Sequence, residues 1–186
     1  FFQENLIFFP QKLEQDYQFN FEQDFEELNF KTSDGKTLNG LLFKVDHCKG
    51  LIFYLHGNAG SISSWGHVAN TYTDLNYDIF ILDYRGYGKS EGSISSQEHL
   101  FEVYQLIYDA LKQKYQEDDI IILGYSIGTG MASKLASDNK PNQLILQAPY
   151  YSLTDMMRQR FSLIPTFIFK YKLAANEYFE NCNMPI

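Results

Sequence analysis

Residues 120–136 read IIILGYSIGTGMASKLA. An apolar run of strand length ends in Gly124-Tyr125-Ser126-Ile127-Gly128, and a helical pattern follows. Ser126 thus stands at the carboxyl end of a buried strand, where open α/β sheets bind their ligands. Gly124 and Gly128 remove side chains that would collide where strand and helix cross. The serine can then adopt a strained backbone angle that lifts its hydroxyl clear of the surface, with Tyr125 beside it. The start of the following helix turns free N–H groups and the positive end of its dipole to the same spot. This arrangement suits a nucleophile attacking a carbonyl whose oxygen gains negative charge. Taken alone, the stretch has a competing reading as a glycine-rich turn with no chemistry.

A second segment, His56-Gly57-Asn58-Ala59-Gly60, closes an earlier apolar strand. A loop there can aim a backbone N–H at a carbonyl oxygen and, with the N–H of Ile127, form an oxyanion hole. Asn58 is the first choice of donor and Ala59 the second; a plain loop with a helix cap is the alternative. His56 belongs to this loop and is expected, with Tyr150 and Tyr151, to line the pocket. A third segment, DYRGYGKSEG at 83–92, closes the next strand. Its glycines permit a tight loop, and Asp83 and Arg85 are expected to pair and hold it.

These segments need elements to position them. Residues 24–31 and 37–46 read as strands around the turn SDGK, whose Asp34-Gly35 is a hairpin signal. Buried strands are predicted at 51–55, 77–84, 118–124 and 143–149, with helices at about 63–75, 95–115 and 127–138 between them. Four strand–helix alternations predict an α/β fold with a mostly parallel sheet between helix layers. Beyond Tyr150 the alternation stops. SLTD at 152–155 fits a capping box, and 150–180 is expected to form a helical, cap-like segment, apolar over 156–173, above the sheet edge. Residues 1–23 read as an irregular arm or short helix ahead of a domain spanning 24–186.

The chain has 186 residues, enough for one domain with a real core. Its net charge of −8 argues against a nucleic-acid partner. Cys48 and Cys182 have no metal-ligand spacing, so neither a zinc site nor a disulfide framework is expected, and two isolated thiols suit a reducing compartment. No cofactor is implied: a P-loop would need a lysine, and a dinucleotide fingerprint would need glycine at Ser126. No apolar run reaches the roughly 18 residues of a membrane span.

HGNAG, DYRGYGKSEG and GYSIGTG, in this order and spacing, resemble the α/β-hydrolase superfamily, in particular its serine-aminopeptidase-like branch. That branch includes membrane-anchored members and acyl-protein thioesterases. The resemblance covers roughly residues 24–186. It implies a three-layer α/β/α sandwich and a serine hydrolase acting on an ester or thioester, with a small-molecule or acyl-group substrate. A non-catalytic binding protein or a peptidase of the same fold stays open. ENLIFFP resembles the segment after an N-terminal membrane anchor, so membrane association through a stretch upstream of Phe1 is an expectation, with localisation left between membrane-associated and cytoplasmic. The family order is serine, acid, histidine. Yet His47, His56, His67 and His99 all precede Ser126, and Asp155 is already explained as a cap. The chain opens on Phe1-Phe2 without an initiator Met and closes on NCNMPI, so both ends read as cut. The triad acid and histidine, with the C-terminal strands that carry them, are expected past Ile186.

Overall fold

The computed structural model describes residues 3–161 and 164–186, so Phe1, Phe2 and Leu163 of the predicted arm and cap lie outside the described residues. The strands are β1 (Phe9–Pro10), β2 (Phe25–Lys31), β3 (Thr37–Phe43), β4 (Leu51–Leu55), β5 (Ala59–Gly60), β6 (Asp78–Leu82), β7 (Ile120–Tyr125) and β8 (Gln143–Gln147). The helices are α1 (Glu4–Ile7), α2 (Ile62–Trp65), α3 (Ala69–Thr73), α4 (Gln97–Leu111), α5 (Gly128–Asp138), α6 (Leu153–Arg160) and α7 (Ala175–Tyr178), with short 3-10 turns between. The helix expected over 63–75 divides into α2, a 3-10 turn at Gly66–Val68 and α3. Gly66 is a weak helix former by about 1 kcal/mol, which favours a break there.

The main sheet has the order β2-β3-β6-β4-β7-β8. The β2–β3 hairpin joins antiparallel to β6, and β6, β4, β7 and β8 run parallel. Successive side chains of a strand point to opposite faces, so the continuous apolar strands feed two cores. Phe53, Leu55, Phe80, Ile122 and Leu144 pack with α4 and α5 on one face. Ile52, Tyr54, Ile79, Ile81 and Leu123 pack with Ile62 of α2 and Ala69 and Tyr72 around α3 on the other. This is a three-layer α/β/α sandwich.

Chain order determines where a ligand can sit. From β4 the chain moves to one side to form β6, then crosses back through α4 to form β7 on the other side. The reversal leaves a crevice beyond the carboxyl ends of β4 and β7, the usual ligand position in such sheets. Leu55 lies opposite Gly124, so the His56 and Ser126 loops emerge side by side. The arm is stitched to the same edge: β1 pairs in parallel with β5, and Lys12 bridges to Gly88. At the other end of the chain, Pro185 O accepts the Leu144 N–H at 3.0 Å, which brings the MPI segment alongside β8.

Candidate active site

Ser126 has φ +51°, in the left-handed region that a non-glycine residue enters at a cost of order 1–3 kcal/mol. Three bonds hold it there. Its N–H donates to Gln147 O at 2.9 Å, and its carbonyl accepts both the Thr129 N–H (2.9 Å) and the Thr129 hydroxyl (2.6 Å). The flanking glycines are required by contact. A Cβ on Gly128 would lie 2.1 Å from Leu55 O, and one on Gly124 would lie 2.7 Å from Gly128 O and from Thr129 Cα. Helix α5 therefore begins against the bare backbone of β4. Tyr125 is exposed at the tip of β7, its ring centroid 5.4 Å from that of Trp65.

The HGNAG loop is held by aromatic donors. Tyr84 hydroxyl donates to His56 O, Tyr87 hydroxyl to Asn58 O (2.7 Å) and Trp65 Nε1 to Ala59 O (2.7 Å). His56 Nδ1 lies 2.7 Å from Gly57 O; a carbonyl can only accept, so the imidazole carries its proton on Nδ1. The peptide is trans, so the N–H of Asn58 points away from that carbonyl. Neither this N–H nor that of Ile127 has a hydrogen-bond partner among the described residues. The side-chain amide of Asn58 donates to Ile7 O, tying the loop to the arm.

Ser126, Asn58 and Ile127 line one cavity of about 220 Å³. Leu6, Ile7 and Phe9 of the arm form one wall; Tyr150 with Leu153, Met156, Met157 and Arg160 of α6 forms the other. Tyr150 donates to Ile127 O at 3.2 Å, and burial pushes its hydroxyl pKa upward. The other residues expected at the pocket lie elsewhere. His56 is wholly buried, stacked on Tyr84 at 3.9 Å, because its ring completes the aromatic core beneath the loop. Tyr151 points to solvent one residue past the cavity, and Ala59 is engaged in β5, outside the lining. The arm and Arg160 were missed from sequence; LIFF at 6–9 was visibly apolar, but nothing local says what it covers.

Two more expectations change. Arg85 pairs not with Asp83 but with Asp34 of the β2–β3 turn, at 2.5 Å. The Thr32 hydroxyl and the Arg85 guanidinium hold the Asp34 carboxyl down at about 2. Asp83 instead turns into the core, where its Oδ1 accepts the Ile62 N–H at 2.9 Å and lies 3.8 Å from His56 Nε2. Burial pushes His56 down to about 4 and Asp83 up to about 8, so at neutral pH the two face each other uncharged. The remaining histidines are also remote: His47 and His67 are exposed, His99 lies on α4, and none lines the cavity. Ser152 caps α6: its Oγ accepts the Asp155 N–H at 3.0 Å, and its hydroxyl donates to the Asp155 carboxylate at 2.7 Å, which turns Asp155 to the cap. Among the described residues no three His, Cys, Asp or Glu side chains gather as metal ligands.

Known proteins resemble the chain in sequence and in fold. The model of the hydrolase family described as "Serine aminopeptidase, S33" matches residues 46–180. The lysophosphatidylserine lipase ABHD12 of Gallus gallus is 32% identical over 123 residues, covering 61% of this chain and 32% of that protein. The chain thus spans about a third of the length of that curated relative. An alpha-beta hydrolase from Vibrio vulnificus superposes with a TM-score of 0.73 at 20% identity, over 86% of this chain and 60% of the other. The esterase PF2001 of Pyrococcus furiosus superposes with a TM-score of 0.68 at 17% identity, over 96% of this chain and 74% of the other.

Proposed function

The chain belongs to the serine aminopeptidase S33 family of α/β-hydrolases, and on that premise we propose that it is the nucleophile-bearing part of a serine hydrolase for carboxylic esters or thioesters. One observation carries the reading: Ser126, at φ +51°, shares a single cavity with Asn58 and Ile127, whose N–H groups have no partners among the described residues. Ser126 Oγ attacks the acyl carbon, and the carbonyl π electrons move to oxygen. The two N–H groups bind that oxyanion, collapse expels the alkoxide or thiolate, and water then releases the acyl group from the serine. His56 acts here as a positioning residue: its Nδ1–H holds the Gly57 carbonyl and so aims the Asn58 N–H. The apolar walls and the relatives named lysophosphatidylserine lipase favour an acyl lipid over a peptide.

A serine hydroxyl needs a base. None of the four histidines reaches the cavity, so in this reading the base and its orienting acid come from residues outside 1–186. The competing reading is a hydrolase-shaped protein that binds without turnover, favoured by His56 being buried in the aromatic core and not presented to the cavity. Fluorophosphonate labelling of a natural product extending past Ile186, read by intact mass, separates the two. An adduct that is lost in Ser126→Ala is expected; a labelled Ser126→Ala, or an unlabelled wild type, refutes the hydrolase reading.

A further inference from the structure

Exposed apolar residues surround the mouth of the cavity. Leu6, Phe9 and Met156 line it, yet each is about half exposed, which sets them at its opening. Gln3 fastens the 3-10 turn Thr166–Ile168 to the base of α1: its Nε2 donates to Ile168 O at 2.6 Å and its Oε1 accepts the Lys170 N–H at 3.0 Å. Phe167, 86% exposed, and Ile168 therefore stand beside the start of the helix that carries Leu6. A packed domain has no internal use for a phenylalanine that far into solvent, and a contiguous exposed apolar patch marks a docking site.

Charge identifies the partner. Residues 156–173 hold Arg158, Arg160, Lys170 and Lys172 and none of the chain's 23 Asp and Glu, in a protein of net charge −8. Lys170 pairs with Glu4 at 3.2 Å; the other three have no carboxylate partner among the described residues. Against these four cations the rim carries two carboxylates, Glu4 of α1 and Asp155 of α6, so an apolar face with an excess of positive charge on an otherwise acidic molecule matches one surface in both respects, a bilayer of anionic lipid. Among the described residues no helix is long and apolar enough to cross a membrane, so the contact is with the surface.

We propose that the rim formed by α1, α6 and the Thr166–Ile168 turn docks on anionic lipid and opens the cavity toward the bilayer, so that the acyl chain of a membrane-resident ester enters without crossing water. The entry of substrate rests on the hydrolase reading; the docking does not, and it is testable without turnover. The experiment is co-sedimentation of this chain with phosphatidylcholine vesicles, with and without about one-third phosphatidylserine. Binding to the anionic vesicles is expected, and salt should weaken it. Phe167→Ser with Ile168→Ser should weaken it about tenfold or more. Arg158→Glu with Lys172→Glu should weaken it at least about fivefold per charge. All four positions are exposed, and matching thermal melts check that the variants fold. No binding, equal binding to neutral vesicles, or unaltered binding by either variant overturns the proposal. So does a concentration-dependent dimer that is lost in the Phe167 variant, which would assign the face to a second copy of this chain.

Discussion

Replacing Gly128 by alanine tests the strand-to-helix elbow at Ser126 most directly, because two opposing effects can be set against each other. Gly128 opens α5 with no unusual backbone angle, and alanine is the better helix former by up to about 1 kcal/mol. Against this, the new methyl would lie 2.1 Å from Leu55 O, 2.8 Å from Leu55 C and 2.9 Å from His56 O. All three are backbone atoms at the end of the central strand, and none can rotate aside. Overpacking costs about 1–3 kcal/mol where side chains share the strain. A clash with backbone belongs at the top of that range, so steric cost wins by about 2 kcal/mol. For a domain of this size the melting temperature should fall by about 4–8 °C. A thermal melt by circular dichroism reads it. Gly35→Ala is the control: it has φ +78° and open space around its Cβ, so its cost is the positive φ alone, about 1 kcal/mol. A Gly128→Ala protein as stable as wild type would refute the claim that α5 starts in contact with β4, and with it the physical reason for glycine at that position.

Two further outcomes follow from the core and the caps. In the unfolded chain His56 and Asp83 titrate near 6.5 and 3.9, whereas folded they titrate at about 4 and about 8. From about pH 4 to 6.5 both states hold one proton on the pair. Above 6.5 the unfolded chain has released it while the folded chain keeps it on Asp83, so stability falls as pH rises toward 8, by about 2 kcal/mol in all. Urea denaturation at the two ends of that window should show the loss, and Asp83→Asn, which keeps an acceptor for Ile62, should flatten it; a rising or level wild-type profile contradicts the neutral pair. Ser152→Ala removes the side chain that caps α6 and should cost about 1 kcal/mol in the same assay, with a change under about 0.3 kcal/mol counting against the cap.

Much of the fold is local in origin and was legible in the sequence. Uninterrupted apolar runs at 51–55 and 120–123 declare strands buried on both faces, and the pattern from Gly128 onward declares a helix. The elbow itself follows from spacing, since only glycine fits on either side of a serine where a strand turns straight into a helix. That Asn58 and Ile127 come to line one cavity with Ser126 was legible for the same reason: each follows the end of a central strand, and parallel strands bring those ends to one edge. The cap at Ser152 needed only a four-residue pattern.

What tertiary structure alone decided is which distant residues meet. Nothing within a few positions of Leu6 or Phe9 says that the arm pairs with β5 and walls the cavity, because that depends on contacts some fifty residues away. Asp83 and Arg85 look like natural partners two residues apart, where a strand would set both on one face, but β6 ends at Leu82 and the turn that follows, with Gly86 at φ +80°, breaks that two-residue repeat. One goes into the core against His56 and Ile62, and the other out to Asp34. His56 reads as a pocket residue by its place in the loop; the aromatic layer of Tyr84, Tyr87 and Trp65 drew it inside instead. Local sequence determines the elements and the turns that join them. Burial and partner choice are long-range, set by how the layers close over one another.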